Sequence, residues 1–248
     1  MTGTASILTI GNELVSGDVP NTNAAWLARR LAPLGVAVRL TASLPDEIDA
    51  IAEFVRAEAP RVDFLLVTGG LGGTPDDLTR EAIAAAFGVP QEEVPEVAAD
   101  LRARFTRNPE YAARWALLPR GSRPLANPLG GAPGFALENV YVLPGMPPEM
   151  REMFGQIEPE LGRGPELHTW SKTLPTSEHL ILSCLEELAE KHPDVGCGSY
   201  PRFSDAASPE VKIVLRARSR DDLSAAARVV EGFARTLGSE GVASGPTG

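Results

Sequence analysis

The sequence predicts an α/β protein: a mainly parallel sheet covered by helices on both faces, followed by a smaller α+β domain. Three observations predict it. Apolar strand-like runs alternate with helical periodicity three times within the first ninety residues, the pattern of a parallel sheet with crossover helices. Polar, glycine-bearing loops follow the first and third runs, where open parallel sheets hold their ligands. After Gly162-Arg163-Gly164-Pro165, which reads as a linker, the pattern changes to strand, helix, strand, strand, helix.

In order, Ala5-Ser6-Ile7-Leu8-Thr9-Ile10 is predicted as the first strand and Gly11 to Asp18 as a polar loop. Asn21 or Thr22 caps a helix with Ala24, Leu27, Ala28 and Leu31 on one face, ended by Gly35. Val36 to Thr41 is the second strand. Pro45-Asp46-Glu47 opens a helix carrying Ile48, Ile51, Ala52 and Val55 at helical spacing. Val62 to Val67 is the third strand, and Glu81 to Gly88 a helix closed by glycine. Residues 92 to 115 read as helix, broken near Asn108-Pro109, and Leu117 to Gly134 as a long Gly/Pro-rich loop. Phe135 to Leu143 is a hairpin turning at Glu138-Asn139, and Pro144-Gly145-Met146-Pro147 starts another helix. Beyond the linker, strands are predicted at His168–Leu174, Val195–Tyr200 and Glu210–Ala217, and helices at Thr176–Lys191 and Asp221–Leu237. The domains are therefore placed at 1–164 and 165–238, with 239–248 a flexible tail.

Composition narrows the function. The chain has 248 residues, 43% of them hydrophobic, and no apolar run of membrane-spanning length. No secretory signal is recognisable, and Cys184 and Cys197 are too few for a disulfide framework, so a cytoplasmic protein with free thiols is expected. A net charge of −10 and 6% aromatic residues argue against nucleic acid as partner. His168, His179 and His192 lack ligand spacing, Cys184 reads as core, and Trp26 and Trp115 as packing residues.

The chemistry is expected between Thr68 and Thr79, in Gly69-Gly70-Leu71-Gly72-Gly73-Thr74-Pro75-Asp76-Asp77-Leu78. This glycine loop joins the end of a buried strand to a helix start, where close-approaching N–H groups favour anions. Asp76 and Asp77 would repel a bare phosphate, which implies a cation between them and the ligand. Taken alone, the loop reads equally well as an aspartate-capped helix start. Its position at a carboxyl edge brings Asn12 and Glu13 of the first loop alongside it, which favours the ligand reading. Gly145 marks a second candidate anion cradle.

Gly11-Asn12-Glu13-Leu14, Asn21-Thr22-Asn23 and Thr68-Gly69-Gly70-Leu71-Gly72 through Asp76-Asp77-Leu78-Thr79 resemble the molybdopterin-binding-like domain of the competence/damage-inducible CinA family. Ala126-Asn127-Pro128, Gly130 to Phe135 and Leu143 to Met150 extend the resemblance, and residues 165–238, including Gly198-Ser199-Tyr200-Pro201, resemble its KH-type domain. The resemblance implies a three-layer α/β/α fold of the MogA and MoaB type. It implies a divalent-metal-dependent pyrophosphatase acting on ADP-ribose or a related dinucleotide, with magnesium or cobalt as the metal. Binding of molybdopterin or a nucleotide without turnover, and nucleotidyl transfer in molybdenum cofactor synthesis, are the alternatives; a homo-oligomer is expected. Nothing in these residues resembles the family's amidohydrolase domain, so deamidation of nicotinamide mononucleotide is not carried over. Gly73 stands where the family pattern has proline. The KH-type module lacks the G-x-x-G loop that clamps nucleic acid, so it is read as a packing or oligomerisation module.

On this reading Asp76 and Asp77 hold or orient the metal, with Glu13 assisting catalysis. Backbone N–H groups of Gly69, Gly70, Gly72 and Gly73 cradle the diphosphate, and the hydroxyls of Thr74 and Thr79 donate to it. Asn12, Asn23, Asp46 and Gly145 complete the ligand shell.

Overall fold

The computed structural model describes residues 3–162, 167–202 and 209–240. The chain divides into two compact units, Met1–Gly164 and Pro165–Gly248. The first contains β1 (Gly3–Ile10), α1 (Asn12–Ser16), α2 (Thr22–Leu31), β2 (Val36–Leu44), α3 (Ile48–Glu58), β3 (Phe64–Thr68), α4 (Thr79–Phe87), β4 (Gln91–Glu93), α5 (Pro95–Arg104), α6 (Pro109–Ala113), β5 (Leu117–Pro119), β6 (Arg123–Leu125), β7 (Gly134–Leu137), β8 (Val140–Leu143) and α7 (Pro147–Leu161). Six strands form one sheet in the order β2-β1-β3-β8-β7-β6. The pairs β2/β1, β1/β3 and β3/β8 are parallel, while β8/β7 and β7/β6 are antiparallel. This is the mainly parallel sheet expected, with the Glu138-Asn139 hairpin forming its antiparallel flank.

Alternation along the strands builds two cores. Ala5 and Ile7, Phe64 and Leu66, and Tyr141 and Leu143 face one side, with Leu27 and Leu31 of α2 and Met150, Phe154 and Ile157 of α7. Leu8 and Ile10, Leu65 and Val67, and Val140 and Val142 face the other, with Ile51 and Val55 of α3 and Ala82 and Ile83 of α4. The period-2 alternation thus makes a sheet covered on both faces, and each fully buried leucine stabilises it by about 1.5–3 kcal/mol. Asn21 caps α2, its side chain accepting the Ala24 N–H at 3.1 Å.

Three local expectations are corrected. Asn12–Ser16 is a short helix rather than loop. The segment from 92 begins as strand β4, because Pro95 keeps Val94 extended and delays the helix; α5 and α6 then follow, with Pro109 in the first turn of α6. The long loop at 117–134 contains β5 and β6. Pro119 lies in a two-stranded ribbon and Pro124 on the edge strand of the main sheet, positions where a missing N–H is tolerated.

The second unit contains β9 (His168–Leu174), α8 (Leu182–Lys191), β10 (Gly196–Arg202), β11 (Glu210–Ala217) and α9 (Arg220–Glu240). Its antiparallel sheet has the order β10-β11-β9. Leu174, Ile181, Leu188, Val211, Ile213, Leu215, Ala226 and Val230 form its core. Cys184 belongs to that core and Cys197 is exposed; both are free, and burial pushes the Cys184 thiol up to about 11. Residues 239 and 240, expected to begin a tail, continue α9. The rest of that tail and positions 163–165 of the linker lie outside the described residues. Among the described residues no helix is long and apolar enough to cross a membrane.

A buried ionic cluster pins β1 to α3. Glu58, 3% exposed, accepts from the Ser6 hydroxyl at 2.6 Å and from the Arg39 guanidinium. Burial raises its carboxyl pKa, but the Ser6 and Arg39 hydrogen bonds and the Arg39 and Arg61 charges outweigh that, leaving it below the ordinary 4.5. A depressed carboxylate stabilises the fold above its unfolded pKa and loses that contribution as pH falls through the folded value. Glu58→Gln is therefore expected to cost about 1–3 kcal/mol at pH 7. Its deficit against wild type should shrink below pH 4.5. Urea unfolding at pH 7 and at pH 3 measures both; a deficit independent of pH contradicts the assignment.

Candidate active site

Four strands deliver their carboxyl ends to one crevice. The Gly11 N–H donates to the Leu44 carbonyl at 3.1 Å, tying the exits of β1 and β2. The Gly69 N–H donates to Leu143 at 3.2 Å, tying β3 to β8. The Thr68 hydroxyl donates to the Pro144 carbonyl at 2.7 Å, and Asn23 Nδ2 donates to Thr68 Oγ1 and to the Gly145 carbonyl at 2.8 Å. Gly69 has φ 110°, and any Cβ there would collide with the Ile10 carbonyl oxygen. Only glycine lets β1 and β3 exit this close together.

Carbonyl capture shapes the loop after β3. Thr79 Oγ1 donates to the Gly69 carbonyl at 2.8 Å, and the Thr79 N–H to that of Gly70 at 3.1 Å. Arg80 Nη1 and Nη2 donate to the carbonyls of Leu71 and Gly72 at 2.7 and 2.9 Å. In a planar trans peptide the N–H points opposite its carbonyl. Four captured carbonyls therefore turn the N–H groups of residues 70–73 away from Thr79 and Arg80. Asp77 then closes the loop. It accepts the N–H groups of Gly72 and Thr74, each at 2.8 Å, and the Thr74 hydroxyl.

The resulting cavity, about 550 Å³, falls within the usual range for small-molecule sites. Glu13, Asp46, Asp76 and Asp77 line it, with Asn23, Gly69, Gly70, Gly72 and Gly145. Asp46 Oδ2 accepts the Asn12 N–H at 2.9 Å. Burial first, then the charges of Glu13, Asp76 and Asp77, raise the Asp46 pKa against the lowering effect of the Asn12 bond. The Thr74 side chain and the Asp76 backbone N–H lower the pKa of the exposed Asp76. Among the described residues, no set of three or more His, Cys, Asp or Glu is placed to hold a metal ion. A carboxylate-rich mouth without a closed cage suits a hard cation held by one or two carboxylates and completed by water and ligand oxygens.

Several predicted residues take other positions. Asn12, Gly73, Thr74 and Thr79 are outside the cavity lining. The hydroxyls of Thr79 and Thr74 are engaged by Gly69 and Asp77, and Asn12 brackets Asp46. The N–H groups of Gly69 and Gly72 are likewise taken, by Leu143 and Asp77, whereas those of Gly70 and Leu71 have no hydrogen-bond partner among the described residues. Neither aspartate caps α4: its N-cap is Leu78, without a side-chain bond. Trp115, read as packing, lines the cavity, whereas Trp26 packs edge-on against Phe154 at 5.4 Å.

Two contributors lacked a readable signal. Arg80 is 5% exposed and holds the Leu71 and Gly72 carbonyls of the loop. Burial lowers its pKa, which Glu81 and Asp77 partly restore, and the guanidinium stays charged. Glu149, in the first turn of α7, lines the cavity and accepts from Asn127 Nδ2 at 2.9 Å.

Comparison with known proteins places this architecture. The family described as the probable molybdopterin binding domain matches residues 6–163. This chain belongs to that family. The family described as the FAD synthase middle domain matches residues 166–235. A protein of Archaeoglobus fulgidus is 40% identical over 79% of this chain and 85% of its own length. A CinA-like protein of Frankia casuarinae is 36% identical over 97% of this chain, which spans 60% of that protein. The solved structure of CinA from Thermoplasma acidophilum, 32% identical, covers 64% of this chain and 98% of its own, with a TM-score of 0.60. The CinA-like resemblance of the sequence thus holds, and the second unit is similar to a middle domain of FAD synthase.

Arg80→Met is expected to release the Leu71 and Gly72 carbonyls, cost about 1–3 kcal/mol and speed amide exchange across residues 69–74. Hydrogen exchange measures this; unchanged protection there contradicts the role given to Arg80.

Proposed function

We propose that this CinA-like chain is a divalent-metal-dependent pyrophosphatase that cleaves ADP-ribose or a related dinucleotide. The observation that carries the proposal is the pairing, in one cavity, of a glycine loop whose carbonyls are held by Thr79 and buried Arg80 with a lining of five carboxylates, Glu13, Asp46, Asp76, Asp77 and Glu149. A diphosphate needs both: donors for its oxygens and, between it and the carboxylates, a cation.

Gly70 and Leu71 bind the diphosphate through their N–H groups, and the Arg80 charge behind them stabilises its negative charge. Asp76 and Glu13 hold the cation. Asp77 orients the site by keeping the loop closed, a role drawn from its three accepted hydrogen bonds. When bound, the cation supplies Lewis-acid neutralisation of the phosphate oxygens. Asp46, with Oδ2 held by Asn12, accepts a proton as water attacks phosphorus; the P–O–P bond breaks and AMP and ribose 5-phosphate leave. A raised carboxyl pKa suits that role. Asn23 holds the Gly145 loop against Thr68.

A second reading is binding of a pterin or nucleotide without turnover, supported by the family description. Incubation with ADP-ribose and Mg²⁺ or Co²⁺ separates the two. The hydrolase reading predicts AMP release that stops with a chelator and falls at least 100-fold in Asp76→Asn (~3 kcal/mol). Tight binding with no AMP under either metal leaves the second reading standing instead.

A further inference from the structure

We infer that Trp115 is a specificity-determining residue of this cavity, a platform for the planar heterocycle of a nucleotide ligand, and that Gly73 is what admits it. The inference rests on the nucleotide reading above and adds the part of the ligand that the phosphate cradle does not address.

Gly73 comes first. A Cβ at this position would meet the Tyr111 hydroxyl inside contact distance and lie 2.9 Å from Trp115 Nε1. The proline expected from the family pattern cannot occupy this place with the two rings where they are. The absent side chain at 73 is thus replaced by rings from α6 and the 3-10 turn Arg114–Ala116 that follows it.

Trp115 is fixed by other rings. Phe105 meets it edge-on at 5.1 Å and 85°, and Tyr111 at 6.1 Å and 66°. Its neighbours Ala113 and Ala116 are buried, whereas Trp115 stays partly accessible and forms part of the cavity wall. Its Nε1 is buried and has no hydrogen-bond partner among the described residues. A ring held by two other rings that also lines a ligand cavity loses little entropy on stacking a base.

The test compares a probe with a ring and a probe without one. By calorimetry with Mg²⁺, Trp115→Leu should weaken ADP-ribose about tenfold. It should leave inorganic pyrophosphate within twofold, and Trp115→Phe should recover most of the loss. Equal weakening of both probes, or unchanged ADP-ribose affinity in Trp115→Leu, overturns the inference. A readout without substitution of Trp115 guards against misfolding. In a Trp26→Phe/Trp170→Phe background, Trp115 emission should be quenched by ADP-ribose and not by pyrophosphate; no difference between the probes overturns it. ADP-ribose that binds and quenches without AMP release refutes hydrolysis alone and upholds the platform. Pyrophosphate binding with no preference for ADP-ribose refutes the platform and leaves the phosphate site in place.

Discussion

The close approach of β1 and β3 at Gly69 is the constraint on which the site depends. The Ile10 carbonyl occupies the space of a side chain at residue 69, so two parallel strands leave the sheet almost in contact. With the strand exits this close, the loops after β1 and β3 share one crevice, and β8 joins through the bond from the Gly69 N–H to Leu143. The buried sheet supplies the rigidity: Leu65, Leu66 and Val67, directly before the loop, are fully buried. A loop leaving so stiff a base can hold its peptide groups in fixed directions, which is what binding an anion through N–H groups requires.

Charge is then divided between two layers. Behind the loop, Arg80 and Thr79 take up its carbonyls, and the buried guanidinium adds a positive charge whose hydrogen bonds go to the Leu71 and Gly72 carbonyls. In front, Glu13, Asp46 and Asp76 make the mouth negative. The two layers would oppose each other over any single ligand charge. They are compatible when the ligand is an anion accompanied by a cation; burial first, and then the charges of Glu13, Asp76 and Asp77, raise the Asp46 pKa.

Much of this was legible in the residues. Short apolar runs such as Ile7 to Ile10 and Phe64 to Val67, alternating with segments of helical periodicity, marked the two-sided sheet, and glycines followed by acidic residues after a buried strand marked the loop. What escaped has physical causes. Asn12–Ser16 is five residues long, too short for helical periodicity to register. β5 and β6 carry prolines, which read as loop until edge positions excuse them. Arg80 carries no local signal in the sequence, because only the fold brings the Leu71 and Gly72 carbonyls onto it. Asp77 and Thr79 were expected to face the ligand, yet their oxygens meet loop N–H and C=O groups first, since a buried loop must satisfy its own peptide groups before it can bind anything.

The central claim is that the Gly70-Leu71 N–H groups at the carboxyl edge of the sheet bind a nucleotide diphosphate. An amide NMR titration of the intact chain with ADP-ribose and Mg²⁺ tests it most directly. The account predicts saturable shifts centred on Gly70 and Leu71, with smaller ones at Glu13, Asp46 and Gly145. Saturable shifts that leave Gly70 and Leu71 unmoved, or no shifts at millimolar ligand, would contradict it.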